Sequence, residues 1–273
     1  MKNLLHNILK LAVLALMMVG IQSCSEDWQE KEHATIYFTA EIPIDVQTRS
    51  FGKAEQVNTL VVGVFNTQKE EIARKEFVIN SSSIDVELSL SKDQTYSFVF
   101  WAYDCSSEIY DITDLTAIEM NLLPNPISFS QSEAADAFFA TKENIIVTGN
   151  SSYPVELVRP LAQINVGTTG IPMLASFTAK SVPDTFHPFT NTVSGECDFT
   201  WNFSETTTET FLVENIEYNY LAMGYLFAPV SSMMIATELT LTDGQTSKTV
   251  AFSQVEIEAN RRSNIAGNFT TTK

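Results

Sequence analysis

Residues able to do chemistry are sparse in this 273-residue chain. It has three Cys and three His against thirty-three Asp and Glu. His33 and His187 have no neighbouring His, Cys or paired acid at ligand spacing, so no metal is expected. No G-x-S-x-G, HExxH, P-loop or GxGxxG occurs, and no cofactor is implied. A glycosidase needs two placed carboxylates, and so many acids nominate no pair. No catalytic residue is assigned, and the balance is against an enzyme. Cys105 and Cys197 could join in an oxidising compartment, but they fall in different halves of the chain. Buried free thiols are the expected state.

Cys24 is different, because its neighbours specify a reaction. Lys2 and Lys10 precede a ten-residue apolar run, Leu11 to Gly20, which suits a signal peptide and is too short to span a bilayer. Ile21-Gln22-Ser23-Cys24 follows, an aliphatic residue at −3 and a small one at −1 before Cys. This resembles a bacterial lipobox. The implied chemistry is a thioether to diacylglycerol on Cys24, cleavage before it, and acylation of the new amino group. Several acyl chains anchor firmly, at roughly 0.8 kcal/mol per buried CH₂. Residues 1–23 are then the signal peptide and 24–34 an acidic tether, Ser25-Glu26-Asp27-Trp28-Gln29-Glu30-Lys31-Glu32 at its centre. The tether is similar to the signal that sends some Gram-negative lipoproteins to the outer face of the outer membrane, although a solvated linker has the same composition. The cytoplasm is excluded.

Sixteen Lys and Arg give a net charge of −17, and losing Lys2 and Lys10 with the signal makes it −19. So acidic a surface repels polyanions, so nucleic acid is no partner. Beyond the tether the chain reads as strands. Thr35 to Gln47 alternates: Ile36, Phe38, Ala40, Ile42, Ile44 and Val46 point one way and mostly polar residues the other. Pro43 lacks an N–H, which places this strand at a sheet edge. Ile84 to Leu90 and Ile235 to Thr242 alternate likewise, and Tyr96 to Tyr103 is apolar throughout, as for a strand covered on both faces. Asp243-Gly244 signals a hairpin turn, and Ser132 to Ala140 suggests a short helix. Thr249 to Glu258 is the last convincing strand. The expected fold is all-β: two tandem β-sandwich domains of transthyretin-like, Greek-key type at 35–152 and 153–273, with one or two short helices. The division lies at the polar stretch Gly149-Asn150-Ser151-Ser152.

Four separated blocks carry a family resemblance. Val155 to Thr168 contains Arg159-Pro160-Leu161-Ala162-Gln163-Ile164-Asn165 and looks like the "R-P-hydrophobic-A-Q-hydrophobic-N" strand of fimbrillin-like lipoproteins. Tyr220 to Pro229, Asn260 to Asn268 and Asp136-Ala137-Phe138-Phe139 are similar to further blocks, the second with mild departures at Arg261 and Ser263. The resemblance implies a subunit or an anchor or tip component of a type V-like pilus, lipid-anchored at the outer surface or in the fimbrium. Its partners would be other pilus subunits, or itself, joined by strand addition. In such fimbrillins an Arg-specific protease removes the first strand with the lipid, and a neighbour's strand fills the groove. Here the removable strand would carry Ile36, Phe38, Ile42, Ile44 and Val46, with cleavage between Arg49 and Ser50, the first Arg of the chain. Arg49 as a solvated turn residue beside a permanent strand is the other reading.

A glycan- or host-protein-binding surface lipoprotein is a second class, and it would show a platform of exposed aromatics. Trp28, Trp101 and Trp201 are scattered; Phe199, Trp201 and Phe203 alternate, as a platform or a core would. The Cys24 assignment predicts that Cys24→Ala leaves the chain unlabelled by radioactive palmitate and releases it from the membrane fraction. Label retained on Cys24→Ala contradicts the assignment.

Overall fold

The period-two runs form strands because alternation puts every second side chain on one face of a sheet. A computed structural model describes residues 32–43, 54–121 and 126–271; Cys24, Ile44, Val46, Arg49 and Ser50 lie outside them. In chain order the first strands are β1 (His33–Glu41), β2 (Thr59–Phe65), β3 (Glu71–Val78), β4 (Ser83–Ser91) and β5 (Thr95–Tyr103). Then come β6 (Tyr110–Asp111), β7 (Ile118–Met120), helix α1 (Phe129–Glu133), β8 (Phe138–Ile146) and β9 (Ser151–Glu156). The second half has β10 (Leu161–Thr168), β11 (Leu174–Val182), β12 (Thr185–His187), β13 (Thr192–Ser194), β14 (Cys197–Asn202), β15 (Thr210–Val213), β16 (Ile216–Phe227), β17 (Met233–Thr242), β18 (Ser247–Ile257) and β19 (Arg262–Gly267).

The chain is all-β, and one strand order occurs twice. Sheet β4-β1-β9 faces sheet β3-β2-β5-β8 across a core that includes Ile36, Phe38, Val62, Val86 and Phe100. Sheets β15-β16-β10-β19 and β14-β11-β17-β18 repeat that order, with β10 in the place of β1 and β19 in the place of β9. In each sandwich the first strand lies between an antiparallel neighbour (β4 or β16) and a parallel last strand. A small sheet, β13-β12-β7-β6, draws strands from both halves. It packs Phe186 between Trp101 and Phe227, with ring centroids 6.2 and 5.7 Å away. Both faces of β2 and β5 are therefore covered. Val62 and Phe100 enter the first core, while Val61 and Trp101 join the second. Residues 33–273 form one compact unit.

Three local features differ from expectation. β1 is the central strand of its sheet; it ends at Glu41, so Pro43 falls beyond the ladder and costs it no hydrogen bond. The helix starts earlier, at Phe129, because Ser128 accepts from Gln131 N (3.2 Å) while Gln131 Oε1 accepts from Ser128 N (2.8 Å), a capping box. Phe138 to Ala140 are already strand β8. Residues 152 and 153 fall inside β9, which stays with the first sandwich, as does Leu157 in its core.

The Asp243-Gly244 turn joins β17 to β18; Gly244 has φ +88°, and Asp243 accepts from Gln245 N and Thr246 N. Those bonds hold the exposed Asp243 carboxyl well below its usual range. Gly224 on β16 lies against the Trp201 indole, where an added Cβ would stand 2.5 Å from a ring carbon. Gly224→Ala should cost about 1–3 kcal/mol in urea unfolding. Gly149→Ala, with open space around it, should stay within about 0.5 kcal/mol. Equal midpoints for the two variants would contradict this packing.

Candidate functional site

The seat of β1 is where the removable-strand reading meets the structure. Nine residue pairs join β1 to β4, from His33↔Ser91 to Glu41↔Ser83, and six join it in parallel to β9, from Ile36↔Ser151 to Glu41↔Glu156. Each end is tied as well. Thr35 N donates to Asn150 Oδ1 (2.9 Å), Leu157 N to Glu41 O (2.9 Å) and Ile42 N to Ser82 O (2.8 Å). Inward, Ala34, Ile36, Phe38, Ala40 and Ile42 are all buried. The Phe38 ring sits in an aromatic pocket, its centroid 4.8 Å from Phe98, 5.1 Å from Phe100 and 5.7 Å from Tyr153. The three large side chains contribute on the order of 5–10 kcal/mol by burial, at about 1.5–3 each. Outward, Thr39 Oγ donates to Asp85 (3.2 Å) and Tyr37 is 43% exposed.

Past β9 the chain enters a buried polar joint. Val158 bridges to Phe139 of β8 by two backbone bonds of 2.9 Å. Arg159 then grips Asp136 with both arms of its guanidinium, Nε to Oδ1 at 2.6 Å and Nη2 to Oδ2 at 2.8 Å. The same guanidinium lies 4.7 Å over the Phe138 ring. Burial works against its charge, but the hydrogen bond and charge of Asp136 outweigh that and raise the Arg159 pKa. Tyr225 Oη donates to Glu133 Oε1 (3.2 Å), and Tyr110 Oη donates to the Ala135 carbonyl. Burial, with the nearby Asp136, pushes both phenols well above their ordinary value.

Three of the sequence blocks are adjacent strands. Gln163 and Asn165 on β10 face β19, where Arg262 Nε donates to Gln163 Oε1 and Asn165 Nδ2 to Asn264 Oδ1, both at 2.9 Å. β16 lies on the other side of β10. The fourth block supplies Asp136 to the Arg159 of the first. The sequence blocks were visible, but their pairing was not: a 23-residue separation carries no period that links Asp136 to Arg159. The chain end stays with its own fold, since Phe269 N donates to Thr168 Oγ (3.0 Å) and Thr271 Oγ to Asp243 Oδ2 (2.9 Å). An open groove runs between the edges of β18 and β19, lined by Phe252, Val255, Arg261 and Ile265 among others.

Residues weighed for other roles have structural ones. Trp101 and Trp201 are buried, as are Phe199 and Phe203, so their alternation builds core. His187 Nε2 bonds Ser194 Oγ (2.7 Å). Cys105 and Cys197 are free, Cys105 exposed; burial and the charges of Asp184 and Asp198 push the Cys197 thiol up to about 11. Among the described residues no three His, Cys, Asp or Glu gather as a metal site. Arg49, Ser50 and Cys24 are not described.

A family model matches residues 28–273, that of a family of unknown function, DUF6562. Among curated proteins none matches. Solved structures resemble the chain, two of them closely enough to share its fold. A candidate polysaccharide-binding protein (DUF1812) of Bacteroides thetaiotaomicron has TM-score 0.51 at 12% identity, over 85% of this chain and 90% of its own. A candidate adhesin of Bacteroides ovatus has TM-score 0.52 at 11% identity, over 89% and 90%. A C-terminally truncated tip fimbrial protein of Porphyromonas gingivalis has TM-score 0.44 at 13% identity, over 81% and 82%.

The joint predicts strong coupling. Asp136→Ala leaves the buried Arg159 without its carboxylate and should cost about 3–5 kcal/mol in urea unfolding. Adding Arg159→Met should recover part of the loss, whereas strictly additive costs would contradict a coupled pair.

Proposed function

We propose that this chain, which belongs to the DUF6562 family of unknown function, is a surface lipoprotein of pilus type, anchored through Cys24 until a cut after Arg49 releases it to join partner subunits at the vacated seat of β1. The observation that carries the reading is the placement of β1. It is a central strand bearing four buried apolar side chains, with Ile42 buried just past its end, and its removal would leave β4 and β9 as two unpaired edges over an open core. Such a groove is the acceptor that strand addition requires. The order along the chain supports it: a lipidation motif, an acidic tether, β1, then Arg49-Ser50 before the next described strand. The resemblance of the Arg159–Asn165 and Asn260–Asn268 blocks to fimbrillin-like lipoproteins supports it, as does a fold shared with a candidate adhesin.

Binding of a polysaccharide, the activity named for one protein of shared fold, is the second reading. Among the described residues Trp101, Phe199, Trp201 and Phe203 are buried, so they offer no aromatic platform to it.

The test is the N-terminus of the protein on intact cells and of the protein shed from them. Shed protein should begin at Ser50 and cell-bound protein at Cys24. Shed chains that begin at Cys24 would contradict cleavage at Arg49.

A further inference from the structure

Resting on the strand-exchange reading, we infer that the seat of β1 selects a partner-subunit strand whose inward residues run small, aliphatic, aromatic, small, aliphatic, and that it rejects this chain's last strand, β19.

The backbone ladders of β4 and β9 accept any extended strand, so selection lies in the pockets for alternate side chains. The middle pocket is walled by Phe98, Phe100 and Tyr153 and is filled by Phe38, which is 1% exposed. A smaller residue there leaves a cavity between three rings that cannot collapse onto it. Ala34 and Ala40 lie two and one alternate positions to either side, in register with Leu90 and with Ile84 and Val155. They are 3% and 0% exposed. A close-packed wall at those points admits a methyl and little more.

The sequence of this chain offers no second strand of that kind. Outside residues 34–42, no stretch of the 273 residues places small, aliphatic, aromatic, small and aliphatic residues on alternate positions, in either chain direction. The last strand is the obvious donor and fits badly. Its alternate residues are Ser263, Ile265, Gly267 and Phe269. Seating Ile265 in the Ile36 pocket puts Gly267 in the aromatic one; seating Phe269 there forces Ile265 into the Ala34 position. Joining copies of this chain through β19 is therefore disfavoured, and an incoming strand must carry the inward pattern of β1.

The experiment uses the full chain cut once after Arg49, with the N-terminal fragment still seated. Replacement of that fragment by excess synthetic peptide is read by native mass spectrometry. A peptide of residues 32–43 should enter. Its Phe38→Ala form should compete at least ~100-fold less well, and its Ala40→Leu form about 10-fold less well. A peptide of residues 259–273 should compete no better than the Phe38→Ala form. Equal entry of all four overturns the selection, and efficient entry of residues 259–273 overturns the rejection of the last strand. If the unaltered 32–43 peptide never enters, strand exchange itself fails, and the inference falls with it.

Discussion

β4 and β9 touch the same strand and not each other. That constraint governs the first sandwich, because residues 33–41 must bring together residues 83–91 and 151–156 before the sheet exists. The parallel partner is the last strand of the sandwich and the antiparallel one comes from its middle, so closure waits on contacts more than a hundred residues apart. Such non-local pairing makes the fold slow to assemble. It also makes one short segment, at the very start of the domain, the piece whose absence opens the core. A strand in that position can be lost without cutting any other ladder, since β2, β5 and β8 form a separate sheet.

Most of the other contacts that hold the fold do not run through β1. The far face of β2 and β5 is packed against Leu115, Ile118 and Phe186 and belongs to the second core. β9 is held at its end by the Val158 bridge and then by the Arg159–Asp136 pair, neither of which involves β1. A buried ion pair is weak evidence of net stability, but breaking one is costly, so it fixes where the chain leaves β9 and enters β10. The Gln163–Arg262 and Asn165–Asn264 bonds do the same for β19: they align a parallel strand that has no hairpin to set its register.

Strands with clean alternation were legible in the sequence, as Ile84–Leu90 and Ile235–Thr242 show, because period two follows from backbone geometry alone. Tyr96–Tyr103 was legible as a doubly covered strand, though not what covers it, since the small sheet is built from two- and three-residue strands without a pattern. Pro43 misled about β1 because a proline only forbids a ladder bond where the ladder reaches it, and β1 stops two residues earlier. The helix was displaced because its apolar content sits in Ala134 and Ala135 while its start is fixed by Ser128 and Gln131. The inward residues of β1 were readable; their aromatic pocket was not, as Phe98, Phe100 and Tyr153 come from strands sixty to a hundred and fifteen residues away. The duplication of strand order was not legible, because strand order is set by pairings between residues far apart in the chain.

The most direct test is hydrogen exchange on a chain that begins at Ser50, compared with one that begins at Ser25. The account predicts lost protection along β4 and β9 only, with β2, β5 and the strands from β10 onward exchanging as before. Loss of protection throughout both sandwiches would mean that β1 is an inseparable part of the fold and that no acceptor groove exists without it.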